Sequence, residues 1–185
     1  TNSSSLLPRL KRKLFIVIEI KLDLYDLFAA SQTGLTRVFE SLRLKQDWGH
    51  NYKGSVNDQI AKSISGACAE LAVCRYLNTA FNFHVNHGAN PDVMFGDVRC
   101  QVRSQLPKKH NSLIIRPKGS KAGEMYILVI DKSPTFEIKG FVNSSFVLNT
   151  TKYLTDFGIT DRPEVHSVPL DKLTPINFLK DGAWN

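Results

Sequence analysis

Three stretches of the chain bring together residue types that phosphodiester chemistry needs. Asp92 follows Pro91, which stiffens the chain there and pushes Asn90 toward an extended conformation. The run Val98-Arg99-Cys100-Gln101-Val102-Arg103 comes next. The two-residue period of a strand sets Val98, Cys100 and Val102 on one face and Arg99, Gln101 and Arg103 on the other. Glu70 lies upstream on a segment of helical periodicity, where its own-face neighbours are Gly66, Ala67, Val73, Cys74 and Leu77. A carboxylate among apolar and small residues must be paired or bind a metal. Both outcomes stay open: a salt bridge to Arg75 or Arg103, or a metal centre that Gly66 leaves room to approach.

Hydrolysis of a phosphodiester with Mg²⁺ or Mn²⁺ needs hard oxygen ligands and a group that positions water or offsets transition-state charge. Glu70, Asp92, the Gln101 amide oxygen and the Val102 carbonyl can supply the ligands, with Gln101 weaker than a carboxylate would be. Arg103 stays protonated and is a poor general base, but it can hold a phosphate bidentately. Asp97, in Gly96-Asp97, reads as a hairpin corner instead.

The chain carries a formal net charge of +7, and its placement says more than its sum. Arg9, Lys11, Arg12 and Lys13 lie in a leader, residues 1–13, that reads as flexible; residues 14–185 read as one domain. Arg99, Arg103, Lys108, Lys109, Arg116, Lys118 and Lys121 fall between Asp97 and Glu124 with no acid among them. A basic run beside a phosphate-type site is the expected footprint of nucleic-acid attraction. Lys108, Lys109, Arg116, Lys118 and Lys121 are therefore candidate nucleic-acid contacts, together with Arg99.

Cys68, Cys74 and Cys100 sit among apolar neighbours without a C-x-x-C spacing, which predicts buried free thiols in a reducing, cytoplasmic setting. The apolar run Leu14–Ile18 is too short for a membrane span. His84 and His87 on a strand-to-loop stretch would not share a face, so zinc is disfavoured. Ser65 and Ser104 show no arrangement with a histidine. Trp48 and Tyr52 are aromatic loop residues that either stack bases or close over a core.

These residues need a scaffold. The periodicity predicts a strand over 14–20 and one or two amphipathic helices from Asp23, broken or not at Gly34. A helix over 58–78 follows, started by Asn57 or Asp58 and ending near Asn78. Short strands are predicted over 81–85, 92–95, 98–103, 113–116, 125–130 and 136–142, then a short helical or extended piece over 143–149. The tail to Asn185 reads mostly as connections. Helices first and strands after argue for a mixed α/β domain.

Helix-borne Glu70, then Pro91-Asp92, then Gln101-Val102-Arg103, resembles the PD-(D/E)XK nuclease superfamily. The layout is closer still to a group of bacteriophage-encoded proteins related to it. The resemblance also runs through Ile18–Leu24, Ser65–Val73, Met125–Ile130, Phe136–Phe141 and Val168–Ile176, and covers residues 14–179. It implies a restriction-endonuclease-like α/β (α+β) core, a central mixed sheet flanked by helices. It also implies Glu70, Asp92 and Gln101 as Mg²⁺ or Mn²⁺ ligands, and Arg103 where the family carries lysine. The expected function is a divalent-metal-dependent nuclease acting on DNA in a host cell's cytoplasm. The alternative is a catalytically degenerate relative that binds nucleic acid or a host protein; a structural phage component is a more distant third. A homodimer is compatible with each.

Overall fold

The structure, a computed structural model, describes residues 17–45, 54–85, 90–108 and 111–182. The expected leader, Trp48, Tyr52, His87 and Lys109 lie outside the described residues. The elements run β1 (Ile18–Lys21), α1 (Leu24–Arg43), α2 (Val56–Leu77), β2 (Val93–Phe95), β3 (Val98–Gln105), β4 (Ser112–Ile115) and β5 (Met125–Lys132). They continue with β6 (Thr135–Asn143), α3 (Ser144–Leu148), β7 (Leu154–Thr155), β8 (Val165–Pro169), a 3₁₀ turn (Leu170–Lys172) and α4 (Asn177–Lys180).

Five strands form a mixed sheet in the order β1-β6-β5-β3-β2, and β4-β8-β7 form a smaller one. Only β3 and β5 are parallel within the large sheet; its other pairs are antiparallel. β5 is buried along nearly its whole length because both its faces are covered. Met125, Ile127 and Val129 face the helices, packing with α2 residues such as Ala67, Leu71 and Cys74. Tyr126, Leu128 and Ile130 face the small sheet and meet Leu113, Ile115 and Val168. The layers are thus helices, large sheet, small sheet. The mixed α/β class expected from the sequence is the observed one. Among the described residues no helix is long and apolar enough to cross a membrane.

β6 serves both cores through an irregularity. Phe136 and Ile138 face the helices; then the register with β5 shifts between Leu128 and Val129, and Phe141 takes over the same face. Gly140 makes this joint at φ +136°, where a Cβ would stand 2.6 Å from the Thr174 carbonyl. Only glycine permits the close pairing of Phe141 with Thr174 that follows.

The helix predicted over 58–78 spans Val56–Leu77. Its cap is Ser55, not Asn57 or Asp58: Ser55 and Asp58 form a reciprocal capping box. Asn78 closes it in the left-handed conformation, φ 54°. Gly34 does not break α1, which is continuous. It lets α2 approach, since a Cβ there would lie 2.7 Å from the Ile64 Cα.

Two expectations are corrected. Residues 81–85 form no strand; their carbonyls at Asn82 and His84 accept hydrogen bonds from Arg37 instead of a ladder partner. The tail is not mere connection, because Val165–Pro169 becomes the central strand of the small sheet. Five residues with a distant partner give little local signal.

Candidate functional site

α2 enters the core so deeply that every residue from Ala67 to Cys74 is buried, Glu70 included. Its carboxylate is held by Arg37 of α1, whose Nη1 donates to both Oε1 and Oε2 at 2.9 Å. The expected partner was Arg75 or Arg103, but Arg75 pairs with Asp26. Arg37 was missed because it sits in a helix 33 residues upstream, where the sequence shows only an ordinary cation. Burial, then the charge of Asp92, pushes the Glu70 pKa up to about 7 against the pull of Arg37. The Glu70 and Asp92 carboxylates therefore lie within electrostatic reach of one another.

Asp92 stands just ahead of β2, beside the edge of β3. Its Oδ2 accepts from the Val102 amide at 2.8 Å, replacing the ladder partner that β2 is too short to provide. Arg103 Nη1 lies 3.6 Å from the same oxygen and donates to the Val102 carbonyl at 3.1 Å. Burial raises the Asp92 pKa, against Arg103 and the Val102 hydrogen bond.

The alternation read from the sequence holds in β3. Cys100 and Val102 pack toward the helices. Gln101 and Arg103 line a cavity of about 300 Å³ on the other side of the sheet, and the Arg103 guanidinium lies 5.0 Å from the centre of the Tyr126 ring. Cys74 and Cys100 are buried free thiols, pushed up to about 12 mainly by burial, and are correspondingly unreactive.

That cavity collects much of the basic run. Arg116, Lys118 and Lys121 line it with Arg103, facing Asp92 and Glu124. Glu124 is buried and ion-paired with Arg99 at 3.1 Å. Arg116 forms no ion pair or hydrogen bond with its side chain among the described residues. Burial, then the positive charges of Arg103 and Arg162, lowers its pKa. Arg162 escaped the sequence reading, since it arrives from the loop before β8. The loop bearing Arg116 and Lys118 is tied down: Tyr126 OH donates to Ser120 Oγ at 2.7 Å, and Ser120 Oγ donates to the Arg116 carbonyl. Ser144 at the start of α3 donates to the Lys121 carbonyl at 2.6 Å.

The other candidates are placed elsewhere. Lys108 lines a separate cavity of about 570 Å³ with Ser65, Ser104 and Asp131 at the far end of β3. Arg99 is engaged by Glu124. The basic run thus divides, and its cluster is Arg103, Arg116, Lys118 and Lys121.

The proposed metal ligands fit a divalent ion poorly. Both Glu70 oxygens are taken by Arg37, and one Asp92 oxygen by the Val102 amide. Gln101 opens to the side of the sheet away from α2. Among the described residues no three His, Cys, Asp or Glu side chains are grouped to hold a metal. Cations occupy the neighbourhood instead, Arg37 on one carboxylate and Arg103 beside the other. Asp92, Gln101 and Glu124 face the same cavity as the basic cluster, so anionic and cationic groups share one opening.

No family model, curated protein or solved structure matches the chain.

Proposed function

We propose that the chain binds nucleic acid through its phosphates, on a restriction-endonuclease-like core whose cutting machinery has been replaced by fixed cations. One observation carries this reading: Arg103, Arg116, Lys118 and Lys121 converge on one cavity, and Arg116 has no acidic partner there among the described residues. The cavity holds four cations against the carboxylates of Asp92 and Glu124, an excess of positive charge that an anion would offset, and a phosphodiester supplies oxygens in the geometry a guanidinium prefers. The order of parts supports the core. Glu70 comes from a helix, Asp92 opens a hairpin, and Gln101 and Arg103 lie on the strand that runs parallel to β5. Asp92 then acts as the ion-pair partner that keeps Arg103 in place.

A second reading, a Mg²⁺- or Mn²⁺-dependent deoxyribonuclease, has one observation in its favour. Asp92 raises the Glu70 pKa, so the two carboxylates share a field that a divalent ion would relieve. Such an ion would first have to displace Arg37.

Labelled DNA separates the two. Under the first reading the protein binds without cutting in Mg²⁺ or Mn²⁺, and log K falls with log salt by about 0.7 to 0.9 per phosphate engaged. Arg116→Ala weakens binding and reduces that slope by about one. Cleavage that requires the metal and disappears in Asp92→Ala would establish the second reading. Absence of any salt-dependent binding would sink the first.

A further inference from the structure

The loop between β7 and β8 places an exposed aromatic ring at the end of the small sheet where Arg116 emerges. In the small sheet Ile115 is opposite His166, and His166 is opposite Leu154. One residue further along each strand, Arg116, Val165 and Thr155 reach the same end of that sheet. The loop 156–164 therefore leaves the sheet on the side where Arg116 enters the cavity. Phe157 lies in this loop with φ 59°, a left-handed conformation uncommon for a bulky residue. Two short-range hydrogen bonds fix the turn: Phe157 N donates to Thr155 Oγ1 at 2.9 Å, and Gly158 N donates to Asp156 Oδ1 at 2.7 Å.

The fixed turn holds the ring outward, 47% exposed, with Ile159 exposed next to it. Arg162 covers the ring, its guanidinium 4.8 Å from the ring centre. The same Arg162 lies within the field of Arg116. Arg116 and the loop carrying Arg162 and Phe157 thus leave the small sheet at the same end. Asp156, Asp161 and Glu164 outnumber Arg162, so the loop 156–164 carries a net charge of −2 and supplies no attraction for phosphate of its own. Its contribution is an exposed aromatic surface at the end of the sheet where Arg116 emerges.

Resting on the phosphate-binding reading above, we propose that the preferred ligand is single-stranded nucleic acid. Its backbone lies on Arg103 and Arg116, and one unpaired base stacks on Phe157. A flat, uncharged surface next to a phosphate clamp suits a splayed base, because every base presents a π-face and stacking tolerates any sequence. In a duplex the base faces are already stacked on each other, so Phe157 would add nothing to duplex binding.

The test measures fluorescence anisotropy with a labelled oligothymidylate of about 12 nucleotides and with a duplex of equal length. The single strand is expected to bind more tightly. Phe157→Ala should weaken it about tenfold while leaving the duplex nearly unchanged. Phe157→Trp should retain single-strand affinity, and its fluorescence should be quenched as the base stacks. Arg116→Ala should weaken both forms. Equal affinity for the two forms, or a Phe157→Ala variant that binds the single strand like the parent, would overturn the inference while leaving the phosphate clamp standing. Failure of both forms to bind would remove the clamp itself.

Discussion

Arg37 of α1 and Glu70 of α2 are joined by a single guanidinium nitrogen that serves both carboxylate oxygens at 2.9 Å. The same guanidinium donates to the Asn82 and His84 carbonyls, so one side chain connects α1, α2 and the segment leading to Asp92. A buried pair of this kind contributes little relative to apolar residues of equal volume, but breaking it is expensive. Arg37→Met is expected to lose about 3 to 5 kcal/mol in urea unfolding, because Glu70 is left without its partner. Arg37→Met combined with Glu70→Leu should recover a large part of that loss. A double variant no more stable than Arg37→Met would show that Arg37 acts through the 82–84 carbonyls instead.

The Glu70 pKa also sets a pH dependence. The folded state raises it from 4.5 to about 7, so between those values the folded protein binds the proton that the unfolded chain has released. Stability from this group is therefore full below pH 4.5 and declines as pH rises toward about 7. Glu70→Gln should abolish this decline when unfolding free energies are compared across that window.

His166 works in the opposite sense. It is buried on β8, its Nδ1 has no hydrogen-bond partner among the described residues, and burial lowers its pKa from 6.5 against the charge of Glu164. The unfolded chain binds the proton first, so stability is complete above pH 6.5 and falls as acid charges the ring. In His166→Leu this acid-side loss should vanish, which thermal melts at neutral and mildly acidic pH would detect. An unchanged acid profile in that variant would assign the loss to another group.

Two glycines in the helices should respond oppositely to alanine. At Gly34 a Cβ would meet α2 backbone at 2.7 Å, and Gly34→Ala should cost about 1 to 3 kcal/mol as the helices are forced apart. Gly66 has nothing within 4 Å of the same position, so Gly66→Ala should gain up to about 1 kcal/mol from helix propensity. Chemical denaturation of the two variants checks both signs.

Asp92→Ala removes the acceptor for the Val102 amide and should cost about 1 to 3 kcal/mol. Under the binding reading it should also tighten oligonucleotide binding, because a negative charge leaves the cavity. Titrations of the variant and the parent at equal salt measure this; weaker binding by a variant that remains folded would contradict the anion-clamp role.

Much of the local order was legible in the chain. The alternation of Val98–Arg103 correctly separates Cys100 and Val102 from Gln101 and Arg103, because a strand's two faces follow from its geometry alone. The long helix around Glu70 and its end near Asn78 were also readable, since helical periodicity is local, although its cap proved to be Ser55. The small sheet was not, because β8 is five residues long and finds its partners through distant contacts. The exposed stripe of α1 could not be read either. Leu24, Phe28 and Phe39 repeat at helical spacing like a core face, yet they stay exposed while Ala30, Gly34 and Val38 face α2.

By itself the sequence determined which residues share a strand face, where the long helix lies, and that an acid and an arginine belong to one strand-edge motif. Tertiary structure alone decided what those residues meet. It gave Glu70 to Arg37 instead of Arg75 or Arg103, split Lys108 away from Arg116, and brought the loop bearing Phe157 and Arg162 to the end of the small sheet where Arg116 emerges. The reason is physical: face and cap depend on neighbours three or four residues away, whereas a charge takes its partner from whichever element the hydrophobic layers bring beside it.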